Sequence, residues 1–379
     1  MSELTTTLKK GPFAADQVGS LLRPQAIKDA RAQFKAGALT KEQLRAVEDE
    51  EIRKIVQRQK DIGLTAITDG EFRRGWWHLD FLEHLIGVEG YEGAGGYRFA
   101  GKTTSAHQVR VVGNIDFDDS HPFLRDFDFL QKAVGVGPYV AKQTIPSPGM
   151  LGRYNYFDES CYSDEKAYFT DLGLAYRKAI RAFYEHGCRY LQLDDTNWAY
   201  LCSSEKREEV RKDGRDPDHL ARECARAINL ALEGKPDDLT VTMHICRGNF
   251  NSSWIFSGGY EPVADILFGT VKVDGFFLEY DSERAGDFQP LRYAEREDLK
   301  IVLGLITSKF PELENTGTIK ARIREAARFV PLERLALSPQ CGFASTEEGN
   351  ILTETDQWNK LGWVVTLAQQ VWDYERPVE

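Results

Sequence analysis

Hydrophobic and polar positions along the chain alternate between two periods. Short β-rich apolar runs recur at 16–22, 64–70, 139–146, 189–195, 239–246, 274–281, 300–307 and 334–341. Each is followed by a longer stretch with helical spacing: 25–62 as one or two helices, then 72–86, 122–134, 164–186, 218–233, 260–271, 317–329 and 353–372. The seventh unit shows the pattern well, with apolar residues at Ile319, Ile323, Ala327 and Val330 before Pro331 stops the helix. Strand–helix alternation of this kind predicts parallel strands joined by crossover helices. Eight units point to a TIM-type (β/α)8 barrel with an N-terminal helical extension, and a doubly wound open sheet is the alternative. The Gly- and aromatic-rich stretch 87–121 fits neither element and reads as a hairpin-like insertion at the barrel rim. Its GAGG lacks the Lys-Ser/Thr and helix start of a phosphate loop.

The 379 residues are 42% hydrophobic and 28% charged, an ordinary globular composition. Length alone would allow two or three domains, but the repeating pattern makes 1–379 a single barrel domain. A net charge of −11 provides no basic field for nucleic acid. With no apolar run near the ~20 residues that span a bilayer and no export signal at the start, a cytoplasmic protein without membrane partners is expected. The six cysteines, at 161, 188, 202, 224, 246 and 341, are too scattered for a disulfide framework.

Chemically capable residues gather at the C-terminal ends of the strand runs: Ser20, Asp69 with Glu71, Asp194 with Asp195, His244 with Cys246, Glu279, Lys309 and Cys341. In a (β/α)8 barrel these ends share one face, where active sites form. His244 and Cys246 lie at i and i+2, so on a strand they point to the same side and can grip one ion. Cys341, followed by a glycine that permits close approach, and Glu279, at the end of an apolar run, complete the set. Two thiolates, an imidazole and a carboxylate suit tetrahedral Zn²⁺ rather than Mg²⁺ or Ca²⁺. Zinc in such a shell activates a thiol, whose pKa is about 8.5 when free, by holding it deprotonated at neutral pH. The other cysteines, and His78, His84, His107, His121, His186 and His219, read as packing or surface residues. Asp194 and Asp195 have a rival role as caps of the following helix. The run 203–216 reads as a solvated charged segment, and the aromatic-rich GWWHLDF lines either a pocket or an interface.

Together VGSLLRP (18–24), TDGEFRRGWW (68–77), LQLDD (191–195), HIC (244–246), FFLEYDSERAGDF (276–288), LGLITSKFPELE (303–314) and LSPQCGF (338–344) resemble the catalytic barrel of the cobalamin-independent methionine synthase family, over essentially the whole chain. The resemblance implies that His244, Cys246, Glu279 and Cys341 bind catalytic zinc and that homocysteine is the thiol methylated to methionine. It further implies that Val18, Gly19, Ser20, Glu71 and Asp194 hold the amino-acid end of that thiol. There are departures: the chain has no room for the second barrel of full-length members. Tyr154 and Tyr200 stand where the family places a Trp and a Glu toward folate, and Lys309 stands in place of a His proposed to donate a proton. The donor therefore stays open between methyl-folate and a corrinoid, with a corrinoid protein as a partner in the second case. Lys309, Arg73 or Arg74 could serve a departing or anionic group. Other readings are an epoxide-opening transferase of the coenzyme M type and a zinc-binding barrel without turnover.

Overall fold

The computed structural model describes residues 10–93, 98–99, 102–103, 107–152 and 160–378, with backbone alone at 98–99 and 102–103. Its strands are β1 (Ala66–Ile67), β2 (Ile86–Glu92), β3 (Arg98–Phe99), β4 (Lys102–Thr103), β5 (His107–Asp116) and β6 (Val140–Pro146). They continue with β7 (Tyr190–Asp195), β8 (Thr240–Ile245), β9 (Gly275–Glu279), β10 (Lys300–Ile306) and β11 (Leu335–Pro339). The longer helices are α1 (Gln25–Lys35), α2 (Lys41–Asp61), α4 (Pro122–Val134), α5 (Glu165–Glu185), α8 (Pro217–Leu232), α10 (Thr316–Ala326) and α11 (Glu354–Trp372). Between them lie α3 (Leu79–Leu82), α6 (Asn197–Cys202), α7 (Ser204–Lys212) and α9 (Ala264–Thr270).

Seven strands, β1-β6-β7-β8-β9-β10-β11, form one parallel curled sheet in chain order. Covered by helices, they read as continuous apolar runs: β10 is buried from Ile301 to Ile306. The expected first strand at 16–22 is a correction, since only Ala15 forms an isolated parallel bridge, to Leu337. The chain there nonetheless lies against both edges of the sheet. Asp16 N–H donates to Leu337 O at 3.0 Å and Leu21 N–H to Gly70 O at 3.0 Å, while the Gln17 amide donates to Ala66 O at 3.1 Å. Strand pairing fails because side chains take over. Asp16 caps the Phe13 and Gln17 amides itself, at 3.1 and 2.7 Å.

The helix expected over 72–86 shrinks to α3 for a similar reason. Gly70 and Glu71 both sit at positive φ, 66° and 61°, and the Asp80 carboxylate captures the Gly75 and Trp76 amides at 2.8 Å each. That turn carries Glu71 to Trp77 onto the strand-end face. The 25–62 segment forms two helices, the second opened by a Thr40–Gln43 capping box. The segment expected as an insertion contains the antiparallel pair β2–β5, and its centre is largely outside the described residues. The charged run 203–216 folds as α7, with Arg207 buried and paired to Asp218 at 2.6 Å. Among the described residues no helix is long and apolar enough to cross a membrane.

Candidate metal and thiol site

At the C-terminal ends of β8, β9 and β11 four side chains converge. His244 lies on β8, Cys246 follows it, Glu279 ends β9, and Cys341 lies two residues past β11. One ligand atom from each falls within 4.8 Å of every other, and all four residues are buried. Backbone bonds fix the approach: Cys246 N–H donates to Asp195 O at 2.7 Å and Gln340 N–H to Ile306 O at 2.7 Å. Glu279 Oε1 is held by the Arg247 amide at 2.8 Å.

The donor set fits zinc. The two sulfurs are 3.5 Å apart, near the ~3.8 Å that tetrahedral geometry with ~2.3 Å Zn–S bonds requires. Neither ring nitrogen of His244 has a hydrogen-bond partner, nor does Glu279 Oε2. Buried polar atoms are normally paired, so an unpaired imidazole and a carboxylate oxygen with only Arg284 nearby, at 4.0 Å, beside two sulfurs mark a place for a cation. Contact with Cys246 and with His244 holds the Cys341 thiol well below its usual range, while the same contact and burial push Cys246 up. Burial also raises Glu279, against the pull of Lys309. One of the two sulfurs is thus already disposed to be a thiolate. The remaining cysteines are free and take no part, and burial pushes Cys188 up to about 12 and Cys202 up to about 11.

Beside this cluster lie the residues expected to hold an amino-acid end. Gln192 links two of them, its amide donating to Val18 O at 2.6 Å and to Asp194 Oδ1 at 2.8 Å. A Cβ on Gly19, which has φ 149°, would fall 2.7 Å from Thr144 and 3.6 Å from Glu71 Oε1. The Ser20 loop packs on the cysteine loop, with Phe343 N–H donating to Ser20 O at 2.9 Å. A Cβ on Gly342 would lie 1.9 Å from Ser20 Oγ. Glu71 Oε1 accepts from Thr144 at 2.8 Å and meets Arg74 at 3.3 Å, leaving Oε2 without a partner. Burial, with Glu71 adding to it, pushes the Asp194 carboxyl up to about 7. Asp195 does cap the next helix, accepting from Trp198 N–H at 2.9 Å.

A narrow aromatic cleft, open to solvent, lies over Cys246, lined by Trp76, Trp77, His78, Met150 and Phe256 among others. The tryptophans expected at a pocket or an interface are in this pocket, joined by His78, which the sequence assigns to packing. Met150 and Thr196 also line it, and no spacing signal points to either. Tyr200 is buried on α6, its ring 5.7 Å edge-on from Phe256 at the back of the cleft. Tyr154 lies outside the described residues. Arg73 is bound by Glu48 and Asp49, and Arg74 by Glu71 and Thr144, so both are engaged by the protein's own groups. Lys309 is buried just beyond β10 and its Nζ has no hydrogen-bond partner.

The model of the cobalamin-independent synthase catalytic domain matches residues 13–92 and 147–366. Uncharacterized protein YxjH of Bacillus subtilis (strain 168) is 54% identical over 368 residues, 97% of each chain. A methionine synthase of Pyrococcus horikoshii is 24% identical over 335 residues, 86% of this chain and 82% of its own. A crystal structure from Listeria monocytogenes, described as a candidate vitamin-B12-independent methionine synthase, superposes with a TM-score of 0.78. It is 50% identical and covers 96% of this chain and 99% of that one. A B12-independent methionine synthase from Shewanella sp. W3-18-1, in complex with selenomethionine, shares the fold with a TM-score of 0.69 at 18% identity, over 96% and 98% of the two chains. On this match and these likenesses, the chain belongs to the cobalamin-independent synthase catalytic-domain family.

Proposed function

We propose that this protein is a zinc-dependent S-methyltransferase that converts homocysteine to methionine, built on a (β/α)8 barrel in which the 13–22 segment takes the place of the eighth strand. The observation that carries this reading is the convergence of His244, Cys246, Glu279 and Cys341, with the His244 ring lacking a hydrogen-bond partner, beside the buried carboxylates of Glu71 and Asp194. Zn²⁺ held by those four residues would lower the pKa of a coordinated thiol so that it is a nucleophile at neutral pH.

The protein's own groups do the rest. Asp194 and the unpaired oxygen of Glu71 receive the ammonium group, and the Val18–Gly19–Ser20 turn receives the carboxylate end. Binding a cation draws Asp194 from its raised pKa to the ionised form. The sulfur then faces the aromatic cleft, where Trp76, Trp77 and Phe256 exclude water from the transferring methyl group.

The test is the formation of labelled methionine from homocysteine with methyl-folate, methylcobalamin and sulfonium donors offered in turn. One donor should give product with the wild type and none with Cys341→Ala. Equal product with both proteins would set this reading aside.

A further inference from the structure

Lys309 has a position that the departing-group role does not explain. It is 1% exposed and its Nζ lacks a hydrogen-bond partner. It is also absent from the residues that line the aromatic cleft, where a methyl donor would sit. The residue before it, Ser308, is tied instead to the cysteine loop. The amide of Ser308 donates to Gln340 Oε1 at 2.6 Å, and the Ser308 hydroxyl donates to Gly342 O at 2.9 Å, on either side of Cys341. Asn350 fastens the same turn by donating to Ser308 O at 2.8 Å. The ammonium acts electrostatically on Glu279, Cys246 and Cys341 together.

A buried lysine that pairs with nothing is costly unless charge nearby repays it. Two thiolates and a carboxylate bring three negative charges, and a divalent ion offsets two of them. Arg284 also stands 4.0 Å from Glu279 but is matched more closely by Asp281, at 3.1 Å, so Lys309 offsets the third. An arriving thiolate then meets a neutral assembly rather than an anionic one, and in a site shielded from water that difference is large.

We propose that Lys309 is a positioning residue of charge: it neutralises the His244–Cys246–Glu279–Cys341 assembly so that the acceptor sulfur is accepted as its anion. This rests on the zinc–thiol reading above. It makes Lys309 a determinant of thiolate over thioether, because the product carries an uncharged sulfur and draws nothing from the lysine. Release of methionine is favoured by the same means.

The experiment uses zinc-loaded full-length protein as wild type, Lys309→Met and Lys309→Arg. Zinc content is measured for each, and calorimetry gives Kd for homocysteine and, separately, for methionine. Lys309→Met should keep its zinc and bind homocysteine about tenfold or more weaker, with methionine affinity changed less than threefold, and Lys309→Arg should restore most of the homocysteine affinity. Lys309→Gln replaces the Met variant if that one does not fold. Equal weakening for both ligands, zinc loss from a folded neutral variant, or unchanged homocysteine affinity would each overturn the proposal. If the wild type itself holds no zinc or does not bind homocysteine, it is the underlying functional reading that fails.

Discussion

Asp194 and Asp195 are sequence neighbours at the end of β7 with opposite duties. Alternation across a strand sends one carboxylate into the niche and turns the other to the first turn of α6, so the pair cannot be treated as one motif. Asp194 is the side chain expected to meet the ammonium of the acceptor. Replacing it by Asn removes a charge-assisted bond of about 1.5–3 kcal/mol. Asp194→Asn should therefore weaken homocysteine about 10- to 100-fold with zinc content unchanged, as read by calorimetry and metal analysis, and equal affinity would remove Asp194 from the site. The four residues that converge at the candidate metal site were legible in the sequence because cysteine, histidine and glutamate at strand ends are chemically conspicuous. Gln192, Thr144 and Gly342 were not, since an amide, a hydroxyl and a missing Cβ announce nothing until their neighbours are in place. Gly342 came nearest, flagged only as the small residue after Cys341.

The helices and inner strands follow from periodicity alone, and α4 shows what else an element carries. His121 caps it, its Nδ1 accepting from Phe123 N–H at 3.3 Å while Nε2 donates to Phe81 O at 3.1 Å. Burial lowers its pKa from 6.5 to about 4. The folded protein thus keeps this imidazole neutral where the unfolded chain protonates it. Below about pH 6.5 the unfolded state binds the extra proton, so stability present above that pH is lost as pH falls toward 4, by up to about 3 kcal/mol. The raised Asp194 carboxyl acts in the opposite sense over the same range, so the His121 part is read as a difference: from pH 7.5 to 5 the urea midpoint of the wild type should fall more, or rise less, than that of His121→Asn. A slope unaltered by the substitution would contradict the account. Where element prediction misses, at 16–22 and 72–86, carboxylates intervene. Asp16 and Asp80 capture backbone amides that a ladder or helix would otherwise use, which hydrophobic spacing cannot register.

At the scale of the molecule, a buried ion pair joins the 13–22 segment to the sheet. Lys142 of β6 meets Asp16 Oδ1 at 3.1 Å and lies over the Phe277 ring at 4.0 Å, while Tyr190 donates to Asp16 Oδ2 at 2.8 Å. Both charged side chains are fully buried. Asp16→Ala would strand the lysine charge and should cost about 3–5 kcal/mol in urea unfolding, and Asp16→Leu with Lys142→Met should recover much of it. A loss under 1 kcal/mol for Asp16→Ala would mean that the segment is held by its backbone bonds alone. Eight repeating units were legible in the sequence. Among the described residues the parallel sheet has seven strands, and the 13–22 segment runs irregularly against its edges because it is bound through polar side chains.

The most direct test of the central claim is zinc stoichiometry in freshly purified, unchelated protein, with X-ray absorption at the zinc edge before and after homocysteine is added. The account predicts one zinc per chain, bound by two sulfurs, with the sulfur count rising to three when homocysteine is present. Protein without zinc, or zinc whose sulfur count ignores the thiol, would contradict it.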